Sequence, residues 1–504
     1  MSHLLKTTAL ISLMATPTFA EVNALNVWDI FTAQYKSMGL KIEATQIREA
    51  NTLKLQDIKI SGQFPFDWGS ITITTTEFSM LENADGTVAV QFPENMPLAV
   101  ALSLPDDLFI TATLDYSHKG YKLLASGDPD NIRLDYSADL IELILTDIKP
   151  PEQKDLTAAG KLSMSGISGV TTLQTGEMLT ASQTYSVDKT GMDWDYSIKG
   201  SAGSKTFLEI QYLDGKNEIV LPNTGLDFAN IADQFRNGVS IKTAYTSGTY
   251  ITKATNSLNG KTVMEQDISV DKSDTIMSLA QDGFKMKATA DNYLVDATVK
   301  EFPFPIRGKT GRFFGDFQFP LLKNDAQDQD IVYNFSMDDF TMDPEIWALF
   351  DQKEILNRNP ASFTLNLSGK AKLFYDLLDF EAMKKVGEEK LKFGEISSVR
   401  INRLAFSAVN TELTGTGAFN FNNDDLETFG GMPAPDGSIL FKLSGLDGLI
   451  DSLTEIGLIA DDDIMGIRMG IMLMAVTGDK DDTLVSDIKI TPDGQISANG
   501  KRIK

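Results

Sequence analysis

Three short stretches carry residue types that could act as a nucleophile and its base. Ser186-x-x-Lys189, Ser257-x-Asn259 and Lys309-Thr310-Gly311 follow the order found in active-site serine enzymes that react with β-lactams. That chemistry is acyl transfer: the serine hydroxyl attacks a carbonyl and the lysine takes its proton. It needs the serine to open an apolar helix, so that the lysine falls one turn later on the same side. Here Ser186 stands in "QTYSVDKTGM", which reads as a strand running into a turn, while Ser257 and Asn259 read as a hairpin tip. A serine hydrolase using Ser186 and Lys189 is therefore the remote alternative, and no catalytic residue is assigned.

The other reactive groups point the same way. Beyond the first residues the only histidine is His118, in "YSHKGY" between two ribbons, read as an exposed turn histidine. Gly166-Ile167-Ser168-Gly169 is one residue short of a nucleophile elbow. Histidine zinc sites need more histidines than this. The absence of cysteine excludes disulfides, thiolate metal sites, cysteine nucleophiles and a lipoprotein-type acylated cysteine. Acidic clusters at Asp328–Asp330, Asp424-Asp425 and Asp461–Asp463 lack the glycine and distal glutamate of an EF-hand loop. They read as helix caps and solvated loops, and no cofactor or metal is expected.

The elements that would position any site begin after a separate leader. Lys6 is its only charged side chain, Ala9 to Ala15 is apolar, and Thr18-Phe19-Ala20 presents small residues at the two positions a signal peptidase reads. Residues 1–20 are expected to be a signal peptide cleaved after Ala20, placing the mature protein in the periplasm. No later stretch approaches the ~18 apolar residues of a spanning helix, so no transmembrane anchor is expected. The formal charge of −25 repels nucleic acid phosphates and anionic headgroups, which excludes nucleic acid as a partner.

Strand grammar dominates. Leu98, Val100, Leu102 and Leu104 alternate, Pro105-Asp106-Asp107 turns, and Leu108 to Tyr116 alternate back. In "LKLQDIKI" the apolar phase slips from Leu53 and Leu55 to Ile58 and Ile60, which predicts a bulge; a similar slip separates Ile71 and Ile73 from Phe78 and Met80. Met192, Trp194, Tyr196 and Ile198 share one strand face, and Phe284, Met286 and Ala288 another. Asp214-Gly215 and Asn259-Gly260 are favoured hairpin dipeptides. "SVDK" at Ser186–Lys189 and again at Ser269–Lys272 hints at a repeated β unit. The chain ends as strand, Pro492-Asp493-Gly494 turn, strand, Asn499-Gly500 turn, adding a last ribbon to a sheet.

Helical spacing is local. Val27, Ile30, Phe31, Tyr35 and Met38 make one helix, stopped by Gly39, and Leu226, Ile231 and Phe235 a short second. Pro303 and Pro305 suggest a boundary, past which helices multiply. "DPEIWALFDQKEIL" is capped by Asp343 with Pro344 at the first position, and "DLLDFEAMKKVGEEKL" follows. A closing pair uses Leu446, Leu449, Ile450, Leu453 and Ile456, then Asp461–Asp463 opening a helix rich in Met465, Met469, Met472 and Met474. Apolar almost all round, that last helix is expected to fill a curved sheet as core, although thioethers also suit acyl chains.

The stretches "VWDIFTAQYKSMG", "EIWALFDQKEILNRNPASFTLNLSGKAKLFYDLLD", "DGLIDSLTEIG" and "DTLVSDIKITPDGQISANGKRI" resemble DUF2125, an uncharacterised family of exported bacterial proteins. Asn359-Pro360 departs from the acidic residue expected before that proline. The resemblance implies export in a Gram-negative bacterium and a single β-rich unit; it carries no activity, cofactor or catalytic residue. The expected fold is α+β, predominantly antiparallel β, with curved, bulged sheets of hairpins packed on several helices. Residues 21–302 form its β-rich N-terminal part and 303–504 its α+β C-terminal part. The expected function is non-enzymatic lipid binding or guidance in the cell envelope, or alternatively assembly of another envelope protein through a sheet edge.

Overall fold

The computed structural model describes residues 21–65, 68–106, 108–149, 155–480 and 482–504, so the expected signal peptide lies outside the described residues, as does Asp107 of the first hairpin turn. The chain enters through helix α1 (Ala24–Ser37) and strands β1 (Leu40–Glu49), β2 (Thr52–Gln63), β3 (Ser70–Glu82), β4 (Val88–Gln91) and β5 (Asn95–Leu104). It continues through β6 (Leu108–Lys119), β7 (Lys122–Asp128), β8 (Asn131–Lys149), β9 (Leu156–Gln174), β10 (Met178–Ile198) and β11 (Ala202–Pro222). After α2 (Ile231–Arg236) come β12 (Ser240–Ser247), β13 (Tyr250–Leu258), β14 (Lys261–Val270), β15 (Lys272–Ala280), β16 (Gly283–Val299), β17 (Ile306–Phe319) and β18 (Gln329–Met342). Helix α3 (Pro344–Trp347), β19 (Ala361–Leu373), α4 (Phe380–Glu388), β20 (Gly394–Ala408), β21 (Thr411–Asn422) and β22 (Ala434–Ser444) follow. The chain closes with α5 (Leu446–Glu455), α6 (Asp461–Met474), β23 (Val476–Thr477), β24 (Thr483–Ile490), β25 (Ile496–Ala498) and β26 (Lys501–Arg502).

All described strands belong to one 26-stranded antiparallel sheet whose order nearly follows the chain. Many consecutive ribbons pair through short turns, while α2, α3, α4 and the α5–α6 pair occupy the longer connections. β4 with β5, β6 with β7, β12 with β13, and β14 with β15 are halves of single long ribbons, each interrupted at mid-length. The Pro303–Pro305 segment is the turn between β16 and β17, which pair directly, so the sheet runs through this point unbroken.

The interruptions fall on one line across the sheet. Asp57 sits at φ 54° where the β1–β2 register slips, which is the bulge predicted from "LKLQDIKI". Gly166 (φ 61°), Tyr212 (φ 35°), Asn292 (φ 53°) and Asp339 (φ 57°) mark the same level on β9, β11, β16 and β18. Each extra residue resets the alternation, so apolar side chains stay on one face of a bent strand. Ile58 and Ile60 accordingly join the same core as Leu53 and Leu55. Both "SVDK" copies straddle this line. Val187 and Val270 are buried, Asp188 lies against Gly166, and Asp271 accepts from Asn292 Nδ2 at 2.9 Å.

Asn259-Gly260 turns as expected, with both residues at positive φ. Asp214-Gly215 does not: it lies within β11, paired to Tyr185 and Ser186 on one side. The glycine serves packing, since a Cβ there would come within 2.2 Å of the Tyr185 ring.

Among the described residues two apolar cores hold the sheet. The larger packs α1, through Val27, Trp28 and Ile30, onto Leu53, Leu55, Met80, Val88, Ile132 and Leu173. Met38, expected on this face, is 42 % exposed. The smaller gathers Leu221, Ile231, Phe235, Val239 and Leu322 around α2.

Glu82 fastens α1 to the sheet. Its carboxylate accepts from Ala24 N at 2.9 Å and pairs with Arg48, whose guanidinium, with that backbone bond, holds it below the usual 4.5. A carboxyl depressed on folding stabilises above its unfolded pKa, and the benefit disappears as pH falls through the folded value. Glu82→Gln is expected to lower the melting temperature at pH 7 and to shrink the stability lost on acidification, read from melting curves between pH 7 and 3.

Two helix expectations need correction. α3 spans only four residues and Asp343 makes no side-chain cap; its carboxylate instead faces Arg307 Nη1 at 3.3 Å. The helix stops because Asp351, fully buried, turns the chain by accepting from Ile355 N at 2.8 Å and Leu356 N at 3.1 Å. The C-terminal pair exists as α5 and α6, but α6 is not core: none of its residues is buried. Ile464, Ile467 and Ile471 are half-buried, whereas Met465, Met469 and Met472 are 63–76 % exposed. No helix among the described residues is long and apolar enough to cross a membrane.

Candidate functional site

The sheet separates the groups of the hydrolase motif. Ser186 lies mid-strand in β10 and Lys309-Thr310-Gly311 in β17, with β11, β13, β14 and β16 between them. Five interstrand steps make this about 24 Å. Ser257 stands near the far end of β13, opposite Gly203. Lys189 Nζ is 2.8 Å from Glu209 Oε2, and this hydrogen bond, helped by Gln211, holds the Glu209 carboxyl below its usual range. With its amine already engaged by a carboxylate on the neighbouring strand, Lys189 is poorly placed to take a proton from Ser186. Gly166-Ile167-Ser168-Gly169 is part of the bulge in β9.

His118 departs from the expected exposed turn. It lies within β6 and is half-buried, because the ribbon continues to Lys119 before Gly120 breaks it. Its ring packs 5.8 Å from Tyr116 and 5.2 Å from Tyr121, with Nε2 3.2 Å from the Phe92 carbonyl oxygen. Burial raises the Tyr121 hydroxyl above its usual range. This is an aromatic packing cluster under the bend of the sheet. Among the described residues no group of three or more His, Asp and Glu could hold a metal ion. Asp425 closes an acidic turn by accepting from Glu427 N and Thr428 N, and Asp330 pairs with Lys370 at 2.8 Å.

The broadest feature is one face of the sheet. Cross-strand register carries an apolar row outward from the cores: Ile241, Leu279, Phe284 and Phe319 face one another in sequence, as do Met277, Met286 and Phe317 in the next row. Tyr333 with Leu367, Phe335 with Leu365 and Phe363 with Phe406 extend it, and Leu413 with Leu443 and Ile439 with Ile488 carry it to β24. Rings run across the strands, Tyr293 to Phe313 at 5.3 Å, then Phe335 and Phe363 at 6.3 Å each. Among the described residues neither core draws a side chain from β16 to β22. Phe319, Tyr333 and Phe406 keep 39, 39 and 43 % of their surface in solvent.

The opposite face is charged and self-compensated. A recess of about 510 Å³ there is lined by Ile144, Lys161, Asp195, Lys205, Phe207 and Lys253. Each lysine is already paired, with Glu142 at 2.5 Å, Asp195 at 2.9 Å and Asp267 at 3.3 Å. Such exposed pairs contribute about 0–1 kcal/mol apiece and chiefly fix register.

Sequence reading located individual strands of the apolar face but not the face itself. The spacing-of-two pattern at Phe317 and Phe319, Tyr333 and Phe335, and Phe363 and Leu365 was the available signal. No family model matches the chain, and no curated protein matches it, so this surface is interpreted from its geometry.

Proposed function

We propose that this is an exported, non-enzymatic protein of the bacterial cell envelope, DUF2125-like, whose uncovered apolar sheet face binds or guides lipid acyl chains. The supporting observation is the half-exposed row from Phe284 to Ile488. A chain of methylenes laid along it would remove both surfaces from water at about 25 cal/mol per Å². Flat rings and branched side chains give such a ligand width without demanding hydrogen bonds. The bulge line supports the same reading, because on β16 and β18 the reset keeps apolar side chains on this face through the interruption.

A fluorescent fatty acid titrated into purified protein tests this. Phe406→Asp and Tyr333→Asp place a charge on the apolar face at positions exposed enough to keep the fold. Binding is expected to weaken on the order of tenfold for each, with unchanged circular dichroism. Wild-type protein that ignores the probe, or variants that bind it equally well, would end the proposal.

A second reading is supported by β1, which among the described strands pairs with β2 alone and leaves its other edge without a described partner strand along Leu40–Glu49. A partner strand could add there, as in assembly by sheet augmentation.

A further inference from the structure

We infer that the outer face of α6 docks the protein onto a bilayer with zwitterionic headgroups. Met465, Met469, Met472 and Leu473 recur at i, i+4, i+7 and i+8, which places them on one side of the helix. They are 73, 63, 76 and 69 % exposed. The opposite side, Ile464, Ile467 and Ile471, is the half-buried one. The helix is therefore apolar twice over, and its outward half has no packing partner among the described residues.

The helix is held firmly enough to present that face. Arg468 Nη1 is 2.8 Å from Asp447 Oδ1 on α5, with Asp451 3.6 Å from Nη2. At the far end the Met474 carbonyl accepts from Ser486 Oγ at 2.5 Å and Asn499 Nδ2 at 3.1 Å, so the last strands cap the helix. The only cation on α6 is consumed by α5.

Charge decides the occupant. Asp461, Asp462 and Asp463 form the first turn of α6. A second copy pairing in parallel would set two acidic triads together. An antiparallel copy would set each triad against the negative end of the other helix's dipole. Anionic lipid is disfavoured by the same triad, with no free lysine or arginine on the helix to offset it. Anchors at protein interfaces are enriched in Trp, Tyr and Arg; this face carries no Trp or Tyr, and Arg468 is turned to α5. Unbranched thioethers adapt to irregular acyl packing, and a half-immersed helix needs an apolar side without hydrogen-bonding groups. The inference does not rest on the lipid-carrying role of the sheet.

The test is flotation of the whole mature protein with extruded phosphatidylcholine vesicles in a density gradient. Wild type is expected to rise with the vesicles, and to rise less when half the lipid is phosphatidylglycerol. Met469→Asp is expected to weaken partitioning on the order of tenfold while leaving the melting temperature unchanged, and Met472→Asp to repeat the loss. Phe406→Asp is expected to float as wild type does. Wild type that stays at the bottom, or Asp variants that float normally, would overturn the inference. So would preference for phosphatidylglycerol, or loss of flotation in Phe406→Asp, which would assign the vesicle contact to the sheet face. A dimer in vesicle-free sedimentation that Met469→Asp splits would assign the face to a second copy instead.

Discussion

Replacing Asp351 with alanine is expected to destabilise the protein by about 3–5 kcal/mol, the range for breaking a buried charged network. The carboxylate has no solvent exposure and accepts from two backbone N–H groups, of Ile355 and Leu356. Arg358 Nη2 lies 3.6 Å from Asp351 Oδ2 and donates to the Asp351 carbonyl at 3.1 Å, while the guanidinium stacks 5.6 Å from the Trp347 ring. Removing the carboxylate strands both donors and leaves the half-buried Arg358 only the exposed Glu354, 3.3 Å from Nη1, as counter-charge. Asp351→Asn, which keeps one acceptor oxygen, should lose less. Urea unfolding of the three proteins reads the ranking. A loss under about 1 kcal/mol for the alanine variant would show that water can replace the carboxylate.

Gly445→Ala is expected to cost about 2–4 kcal/mol, with the damage confined to the helix pair. Gly445 precedes α5 at φ 77° and ψ 15°, where an L side chain is strained. An added Cβ would also stand 2.1 Å from the Asn410 carbonyl oxygen and 3.2 Å from Thr411 Cα, neither of which can swing away as a side chain can. Hydrogen exchange should quicken across residues 446–474 and remain unchanged in β1 to β10. Gly448→Ala is the control: a Cβ there meets nothing within 4 Å and sits inside α5. That substitution should gain about 1 kcal/mol from helix propensity. Equal effects of the two substitutions would remove the case for a special joint at Gly445.

The antiparallel β-rich fold was legible because its signals are local. The phase slip at Asp57 named a bulge, and the Asn259-Gly260 dipeptide named a turn; both depend only on neighbouring residues. The failures share one cause, a residue chosen for something distant in sequence. Gly215 answers the Tyr185 ring on the next strand, not a turn. Asp351 ends α3 early through a buried carboxylate that periodicity does not register. α6 misled most, since a helix apolar on all sides looks identical whether its outer half meets a core or open solvent. The apolar face was legible strand by strand, but its continuity depends on register across many ribbons, which one strand's pattern does not encode.

The sheet order also has a kinetic meaning. Because nearly every strand pairs with the ribbon before or after it in the chain, each step adds one ribbon beside one already placed, and the added entropy of closure grows only slowly with the length of the connection. The molecule thus approaches a one-dimensional array, in which each ribbon's stability is set by its two neighbours. Order can spread outward from the α1 core one hairpin at a time, and loosening at the thin β25–β26 end need not reach β1. Such a chain can accumulate structure in the order in which it emerges.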